Sequence, residues 1–474
     1  MSVLLQGGLI VDGSGEPGWT GDVLLRDGRI AAIGERLVDA GAQRIDCRGK
    51  VIAPGFIDVH THDDAIVLRD PECLPKVSQG ITTVIVGNCG ISLSPLRTST
   101  PQPPLNLLGS DSFRFDGFAA YARAVDAAQP AVNVAALIGH TTLRFAAMAE
   151  LTRAATPDEL ARMGELLEAA MRDGAFGLSS GLFYEPAFAA PASEVTALAR
   201  IVARHGGVYT SHLRDEMATI LEAMVEAADS ALEAGLPLVI SHHKCAGPAN
   251  WGRTKQTLPL VDELATRQNI ALDVYPYVAG STVLREDLVD GVIDVMVTWS
   301  DTHPQLSGRM LADIAAEWGV EQREACRRLQ PGGACYFQMA EEDVERVVSH
   351  RLTMIGSDGL PHDRHPHPRL WGAFPRVLAR YWRERGLLTL PQAVHKMTGL
   401  SAAQFRIAER GLLREGYHAD VVVFDPQQVQ DTASYDRPIS AARGIDAVFV
   451  NGEQAYDGRE SRTAARAGGW LRRA

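Results

Sequence analysis

The sequence predicts an α/β protein in which a (β/α)8 barrel carries a small β-rich domain built from both ends of the chain. Eight short apolar runs alternate with amphipathic helical stretches, which is the pattern of a parallel sheet made of βα units. Six of the eight runs end in histidine, cysteine or aspartate. Because a barrel places its active site at the carboxyl ends of its strands, these endings predict a site there.

Each predicted barrel strand is an apolar run of five to eight residues bounded by turn or helix signals. In order, the runs are Ile57 to His62, Thr83 to Cys89, Val134 to His140, Phe176 to Ser180, Val208 to His212, Leu238 to His242, Ala271 to Tyr275 and Thr353 to Asp358. The gap between the last two is much longer than an ordinary βα loop. We therefore predict an insertion over about residues 285–348, with a helix near Met310 to Trp318, that covers the site.

Both chain ends show the sequence pattern of β-hairpins, in which short aliphatic runs are separated by glycine turns such as Asp12-Gly13, Asp27-Gly28 and Asn451-Gly452. We expect residues 1–54 and 411–474 to form one β-sandwich-like domain. Residues 55–410 are then expected to form the barrel.

Composition limits the classes of function. The chain has 474 residues, 46% of them hydrophobic, and a formal charge of -12, which argues against a nucleic-acid partner. No apolar run reaches the roughly 18 residues needed to cross a membrane, and the start of the chain lacks a cationic leader. We expect a cytoplasmic protein without a membrane or nucleic-acid partner. The sequence does not indicate an oligomeric state.

A metal site is the most specific prediction. His60 and His62 stand at i and i+2 of the first strand, so both imidazoles face the same side and can reach one ion. A Pro54-Gly55 turn precedes them. Three more residues of metal-ligand type end later strands, namely His212, His242 and Asp358.

This arrangement resembles the metal-binding pattern of the amidohydrolase superfamily, in which histidines end strands five and six and an aspartate ends strand eight. Many binuclear members also carry a carbamylated lysine at the end of strand four, where this chain has Ser179-Ser180-Gly181. Strand two instead ends in Cys89, and a thiolate is a good zinc ligand. We therefore expect Cys89 to replace the lysine.

The substitution resembles the D-aminoacylase branch, whose members are N-acyl-D-amino-acid deacylases. The resemblance extends over the whole chain and includes Ser241-His242-His243-Lys244, Tyr275-Pro276-Tyr277 and Gly356-Ser357-Asp358-Gly359. It implies that Cys89, His212 and His242 hold one tightly bound zinc. The second position that it implies, weaker or variably occupied, consists of His60, His62 and Asp358. The residues alone leave open whether one ion or two is present during turnover.

A zinc with three protein ligands activates water near neutral pH, which suits hydrolysis of an unactivated amide. We expect Asp358 to accept the water proton and pass it to the departing amine, the alternative being a role as ligand only. Tyr184, which follows strand four, is expected either to donate a further hydrogen bond or to pack.

The α-carboxylate of an N-acyl amino acid needs fixed cationic or hydroxyl donors. The resemblance points to Lys244, Tyr275 and Arg369 for that role. It is also the sole basis for preferring D over L substrates.

The preferred side chain depends on the segment that follows strand seven. Relatives acting on N-acyl-D-glutamate resemble this segment but place an arginine where Leu288 stands, so Leu288 favours apolar side chains. Arg285 keeps an acidic substrate as the alternative. A dipeptidase releasing a C-terminal D-residue, a hydantoinase-type cyclic amidase and a non-catalytic scaffold are further alternatives, the last two disfavoured by the missing lysine and by the complete ligand set.

Overall fold

The computed structural model describes residues 2–109, 111–458 and 465–473. Its strands in chain order are β1 (Ser2–Ile10), β2 (Trp19–Arg26), β3 (Arg29–Gly34), β4 (Gln43–Asp46), β5 (Val51–Pro54), β6 (Phe56–Asp58), β7 (Ile81–Val86), β8 (Leu96–Arg97), β9 (Arg114–Phe115), β10 (Asn133–Gly139), β11 (Gly177–Gly181), β12 (Val208–His212), β13 (Leu238–Ile240), β14 (Ile270–Val274), β15 (Ala279–Val283), β16 (Val295–Ser300), β17 (Gly332–Phe337), β18 (Thr353–Ile355), β19 (Val421–Phe424), β20 (Ile445–Val450) and β21 (Glu453–Tyr456).

The helices lie mostly between the barrel strands. They are α1 (Ile66–Arg69), α2 (Leu74–Val77), α3 (Phe118–Ala128), α4 (His140–Ala147), α5 (Pro157–Arg172), α6 (Glu185–Phe188), α7 (Ala192–Arg204), α8 (Ile220–Ala234), α9 (Thr254–Leu264), α10 (Leu311–Trp318), α11 (Gln322–Leu329), α12 (Glu341–Ser349), α13 (Arg369–Arg376), α14 (Leu390–Met397) and α15 (Gly399–Phe405). Helix α13 continues as a π-helix over Val377–Glu384.

Eight parallel strands form the barrel, in the order β6, β7, β10, β11, β12, β13, β14 and β18. They correspond one to one to the eight predicted runs, which confirms the fold class. The interior is a buried apolar cluster that includes Ile85, Val239 and Met354, and α15 adds Phe405 to it. A filled interior leaves the rim as the place for chemistry.

The first and last barrel strands meet only beyond their ladders. A parallel bridge joins Thr61 to Gly359, and the Asp358 N–H donates to the His60 carbonyl over 2.7 Å. The strands β6, β7, β13 and β18 end two to four residues earlier than the sequence predicts. The residues of metal-ligand type expected at their ends therefore lie in the loops that follow. Closure of the barrel brings those loops together.

His140 is the exception among the six polar strand endings. It begins helix α4, where its Nε2 lies 2.9 Å from Glu194 Oε1. The same carboxylate is 2.5 Å from the guanidinium of Arg144. His140 is therefore a buried structural histidine, held by an ion pair between helices.

Strands from both chain ends pair in one sheet of order β21-β20-β19-β5-β1-β2-β3, with β4 beside β1. The antiparallel pair of β5 and β19 joins the two ends. Lys50 supports the junction, since its Nζ lies 2.8 Å from Asp425 Oδ2 and 2.9 Å from Asp446 Oδ2. The structure thus carries the small β-rich domain, whose bounds at residues 54 and 411 stay predictions.

The insertion between the seventh and eighth barrel strands contains its own antiparallel sheet of order β15-β17-β16, together with α10 and α11. It has a separate apolar core that includes Leu311, Ile314 and Tyr336. Helix α10 corresponds to the helix expected near Met310 to Trp318. Because β15 follows the end of β14 directly, the insertion lies over the rim of the barrel.

None of the helices in the described part of the chain is long and apolar enough to cross a membrane.

Candidate metal centre

Two groups of buried side chains meet where the barrel strands end. In each group the atoms of metal-ligand type lie within 4.8 Å of one another, and Cys89 is common to both. We call His60, His62, Cys89 and Asp358 the first group, and Cys89, His212 and His242 the second group. The structure therefore brings together all six residues that the sequence singles out, while their roles as ligands stay predictions.

The thiol of Cys89 lies at the middle of the centre, in contact with histidines of both groups. Cys89 Sγ is 3.1 Å from His60 Nε2 and 3.4 Å from His242 Nε2, which in turn is 2.9 Å from His212 Nδ1. On the other side, Asp358 Oδ1 is 3.2 Å from His62 Nε2 and 3.5 Å from His60 Nε2. Lone pairs from sulfur, nitrogen and oxygen thus converge on a small buried volume, as a cation site requires.

Three of these residues have left-handed backbone angles, with φ of 53° at Cys89, 35° at His242 and 48° at Asp358. Such angles cost a residue other than glycine on the order of 1–3 kcal/mol and persist only where the surroundings hold them. The backbone N–H of His242 donates to Asp273 Oδ1 over 2.8 Å, and that of Asp358 donates to the His60 carbonyl. Backbone strain at these positions is typical of functional sites.

The loop that carries Cys89 packs against the end of β11. The Gly90 N–H donates to Ser179 Oγ over 3.0 Å, and that hydroxyl donates to the Gly87 carbonyl. A Cβ on Gly181 would stand 2.1 Å from the Cys89 carbonyl oxygen, so only glycine fits there. The Cys89 loop therefore occupies the space beside the end of strand four, where the family resemblance would otherwise place a lysine.

Charge distinguishes Cys89 from the other cysteines. Burial opposes its ionisation, but the imidazoles of His60 and His242 hold the pKa of the Cys89 thiol well below its usual value. By contrast, burial raises the pKa of the Cys245 thiol to about 12 and that of the Cys326 thiol to about 11. The surroundings of Cys89 favour the thiolate, which is the form that binds metal.

Two carboxylates that sequence reasoning missed orient the histidines. Asp273 Oδ1 lies 3.1 Å from His60 Nδ1, and Glu216 Oε1 lies 3.1 Å from His242 Nδ1. Each therefore turns the Nε2 of its histidine toward Cys89. A second carboxylate oxygen, Glu216 Oε2, is 3.7 Å from His212 Nε2. One sulfur and two nitrogens, with carboxylates behind the imidazoles, are the donor set and support that zinc prefers, so the residues fit this ion.

A buried lysine, also missed, ties the first and last strand ends together. Lys76 Nζ lies 2.9 Å from Asp58 Oδ2, 3.1 Å from Asp63 Oδ2 and 3.0 Å from Ser357 Oγ. The Ser357 N–H also donates to Asp58 Oδ1 over 2.8 Å. Asp58 precedes His60 by two residues and Ser357 adjoins Asp358, so Lys76 fixes the distance between the two halves of the first group.

The three residues expected to bind the substrate carboxylate lie together at the rim. The guanidinium of Arg369 stacks on the Tyr275 ring at 4.4 Å, and Lys244 Nζ is 5.9 Å from the same ring. Arg369 also lies 2.9 Å from Asp358 Oδ2. Burial would raise the pKa of Asp358, but the charges of Arg369 and His60 hold it well below its usual value.

A narrow cavity adjoins the two groups, and Leu288, Tyr184, Tyr275 and Lys244 are among the residues that line it. Its free volume is only about 40 Å³. The Tyr184 hydroxyl shares a hydrogen bond with Thr282 Oγ1 at 3.1 Å. Arg285 lies outside this cavity, where its guanidinium stacks on Phe183 at 4.4 Å and pairs with Asp287 at 2.6 Å.

We expect Glu216→Gln to weaken zinc binding to the second group by about 10- to 100-fold, because the amide cannot hold both imidazoles as a carboxylate does. Competition with a chelator at fixed pH measures the affinity. Glu194→Gln is the matched control, since Glu194 is also buried and also bonds a histidine, but outside both groups. Equal zinc affinity in the two variants would contradict the positioning role of Glu216.

We expect Lys76→Met to lower the free energy of unfolding of the metal-free protein by about 3–5 kcal/mol, because it leaves buried carboxylates unpaired. Lys50→Met is the matched control. Lys50 also bridges two aspartates, but its side chain is 29% exposed against 3% for Lys76. We therefore expect Lys50→Met to lower the free energy of unfolding by only about 1 kcal/mol or less. Urea denaturation measures the free energy of unfolding of both variants. Losses of equal size would show that burial of the Lys76 cluster does not determine its contribution to stability.

Known proteins resemble this chain over nearly its whole length. The model of the Amidohydrolase family matches residues 43–262 and 312–456. A D-aminoacylase of Alcaligenes xylosoxydans xylosoxydans is 50% identical over 475 residues, covering 98% of each chain. An N-acyl-D-aspartate deacylase of the same organism is 50% identical over 461 residues, covering 97% of this chain and 92% of that protein.

Among solved structures, the N-acyl-D-glutamate deacylase of Bordetella bronchiseptica, complexed with zinc and a phosphonate inhibitor that mimics the tetrahedral intermediate, matches with a TM-score of 0.94 at 46% identity, covering 99% of each chain. Fold, coverage and identity agree with the geometry of the centre. The chain belongs to the amidohydrolase family.

Proposed function

We propose that this protein is a zinc-dependent hydrolase that cleaves N-acyl-D-amino acids with apolar side chains into a carboxylate and a free D-amino acid. The observation that carries the proposal is the buried Cys89, His212 and His242 group, with Asp358 across the thiol from it and a cationic cluster beside it. Full-length relatives named for D-aminoacylase and N-acyl-D-aspartate deacylase activity support it. The cytoplasmic location expected from the sequence stays a prediction.

The substrate is anchored at its carboxylate. Lys244, Tyr275 and Arg369 follow strands six, seven and eight, and the ammonium and guanidinium groups both lie against the Tyr275 ring. A carboxylate placed there receives charge-assisted hydrogen bonds from two cations. Since the same Arg369 contacts Asp358, the anchored substrate lies with its amide next to the metal centre.

Proton transfer falls to Asp358. When bound to this centre, zinc lowers the pKa of water and polarises the scissile carbonyl. The Asp358 carboxylate lies within 4.8 Å of the Cys89 thiol that both groups share, where it can accept the proton of the attacking water and return it to the amine nitrogen. Its second oxygen is held by Arg369, which fixes the orientation of the carboxylate during both transfers.

Leu288 supports the preference for apolar side chains. It lines the cavity beside the metal centre, whereas the guanidinium of Arg285 faces Phe183 and pairs with Asp287 outside that cavity. An acidic substrate side chain beside Leu288 would lose its hydration without gaining a cation, which is costly. The relatives do not decide this question, since the D-aminoacylase and the N-acyl-D-aspartate deacylase are both 50% identical to this chain.

The experiment that tests the proposal is a hydrolysis panel of N-acetyl D- and L-leucine, methionine, phenylalanine, aspartate and glutamate, with metal analysis of the same sample. We expect zinc in the protein and kcat/KM for N-acetyl-D-leucine at least tenfold above that for every L-substrate and for both acidic D-substrates. Turnover confined to L-substrates would refute the proposed activity. A preference for D-glutamate or D-aspartate would refute only the choice of side chain.

We expect Asp358→Asn to lower kcat by a factor of about 10²–10⁴, because the amide cannot carry the proton, while zinc at Cys89, His212 and His242 is retained. Steady-state kinetics and atomic absorption on the same preparation measure both. Asp363→Asn is the matched control: Asp363 is a buried carboxyl of the same loop whose pKa burial raises to about 7, so an amide replaces it closely. Loss of the tight zinc in Asp358→Asn would show that the division of ligands is wrong.

A further inference from the structure

A second, much larger cavity opens next to the metal centre. Its volume is about 1210 Å³, which is above the roughly 300–1,000 Å³ typical of small-molecule pockets. We call it the vestibule. Its wall includes Pro104, Phe183, Pro186, Phe188, Val283 and Leu284.

The vestibule adjoins the narrow cavity at the metal centre. Phe183 and Tyr184 line both spaces and stand between them. The free volume on the inner side is about 40 Å³, which holds one or a few water molecules. Since the proposed function assigns this cavity to the amino-acid side chain beside Leu288, it leaves no room for an acyl group much longer than acetyl, and the further atoms of such a chain extend into the vestibule.

The arrangement of the barrel indicates which part of the substrate faces this space. The candidate carboxylate anchors Lys244, Tyr275 and Arg369 follow strands six to eight, whereas Pro104 follows strand two and Phe183 to Phe188 follow strand four. Most of the wall follows strands two to five, on the other arc of the ring from these anchors, while Val283 and Leu284 follow strand seven and belong to the insertion over the rim. With the carboxylate on one arc and the scissile carbonyl at the centre, the acyl substituent points to the other arc.

The wall suits an apolar occupant. Its two arginines are already neutralised and stacked: Arg285 pairs with Asp287 and covers Phe183, and Arg214 pairs with Glu226 at 2.6 Å and covers Phe188 at 5.5 Å. Neither offers a free cation to a second carboxylate. Phe188 nonetheless keeps 57% of its surface exposed, which leaves apolar area for a ligand to bury.

We propose that the vestibule is an acyl subsite and that the enzyme prefers N-acyl-D-amino acids whose acyl group is an apolar chain considerably longer than acetyl. The inference rests on the proposed deacylase function. It assigns to the vestibule the binding of chain atoms beyond the acyl carbon next to the carbonyl. Each methylene buried there contributes to binding without taking part in bond cleavage.

The test is a series of N-acetyl-, N-butyryl-, N-hexanoyl- and N-octanoyl-D-leucine with the zinc-loaded enzyme. We expect kcat/KM to rise at least tenfold from acetyl to octanoyl, mainly through a lower KM, because the added contacts are equal in the ground and transition states. A flat or falling series would overturn the acyl subsite while leaving the deacylase intact. Absence of turnover with every member, acetyl included, would overturn the proposed function itself.

Phe188→Ser locates the effect. We expect the ratio of kcat/KM for N-octanoyl-D-leucine to that for N-acetyl-D-leucine to fall at least threefold in this variant. We expect kcat/KM for N-acetyl-D-leucine itself to stay unchanged, since Phe188 does not line the narrow cavity. Ile439→Ser is the matched control, because Ile439 is 62% exposed and lies outside the vestibule wall. An unchanged octanoyl advantage in Phe188→Ser, or an equal loss in both variants, would place the long chain elsewhere and overturn the assignment.

Discussion

The site depends on how the first and last strands of the barrel are joined. Between these two strands no ladder of hydrogen bonds extends along the sheet, and contact is made beyond their ends, through the Thr61 to Gly359 bridge and the hydrogen bond from Asp358 to His60. Lys76 stabilises that junction through its contacts with Asp58 and Ser357. Removing one partner would leave the others as uncompensated buried charges, which is strongly destabilising. The positions of the residues of the first group therefore depend on this cluster.

Strand-end chemistry made much of this predictable from sequence. Parallel strands place their carboxyl ends on one rim, so His60, Cys89, His212, His242 and Asp358 had to be neighbours once eight strands closed. The rule failed for His140, because a strand ending looks the same in sequence whether the chain turns inward or starts a helix. Nor did it give the left-handed angles at Cys89, His242 and Asp358, which tertiary hydrogen bonds impose.

The supporting charges were harder to predict. Asp58 and Asp273 did leave a signal, since each is an isolated carboxylate within an apolar strand, and burial of such a group demands a partner. Lys76 and Glu216 left none, because in the sequence they look like ordinary charged residues of a helix and a loop. What identifies them is burial combined with a specific partner on a different strand. That information exists only after the chain has folded.

In the proposed function, substrate binding and catalysis share side chains. Arg369 contacts both Tyr275 and Asp358, and Lys244 lies 2.6 Å from Glu216 Oε1, the same oxygen that orients His242. In the proposed mechanism, replacing either cation removes a donor for the substrate carboxylate and also changes the charge beside Asp358 or behind His242. The proposed side-chain and acyl pockets differ in this respect, since Leu288 and Phe188 are not among the side chains that form hydrogen bonds or ion pairs in the centre. In the proposed function, selectivity can therefore vary in these pockets without disturbing the metal centre.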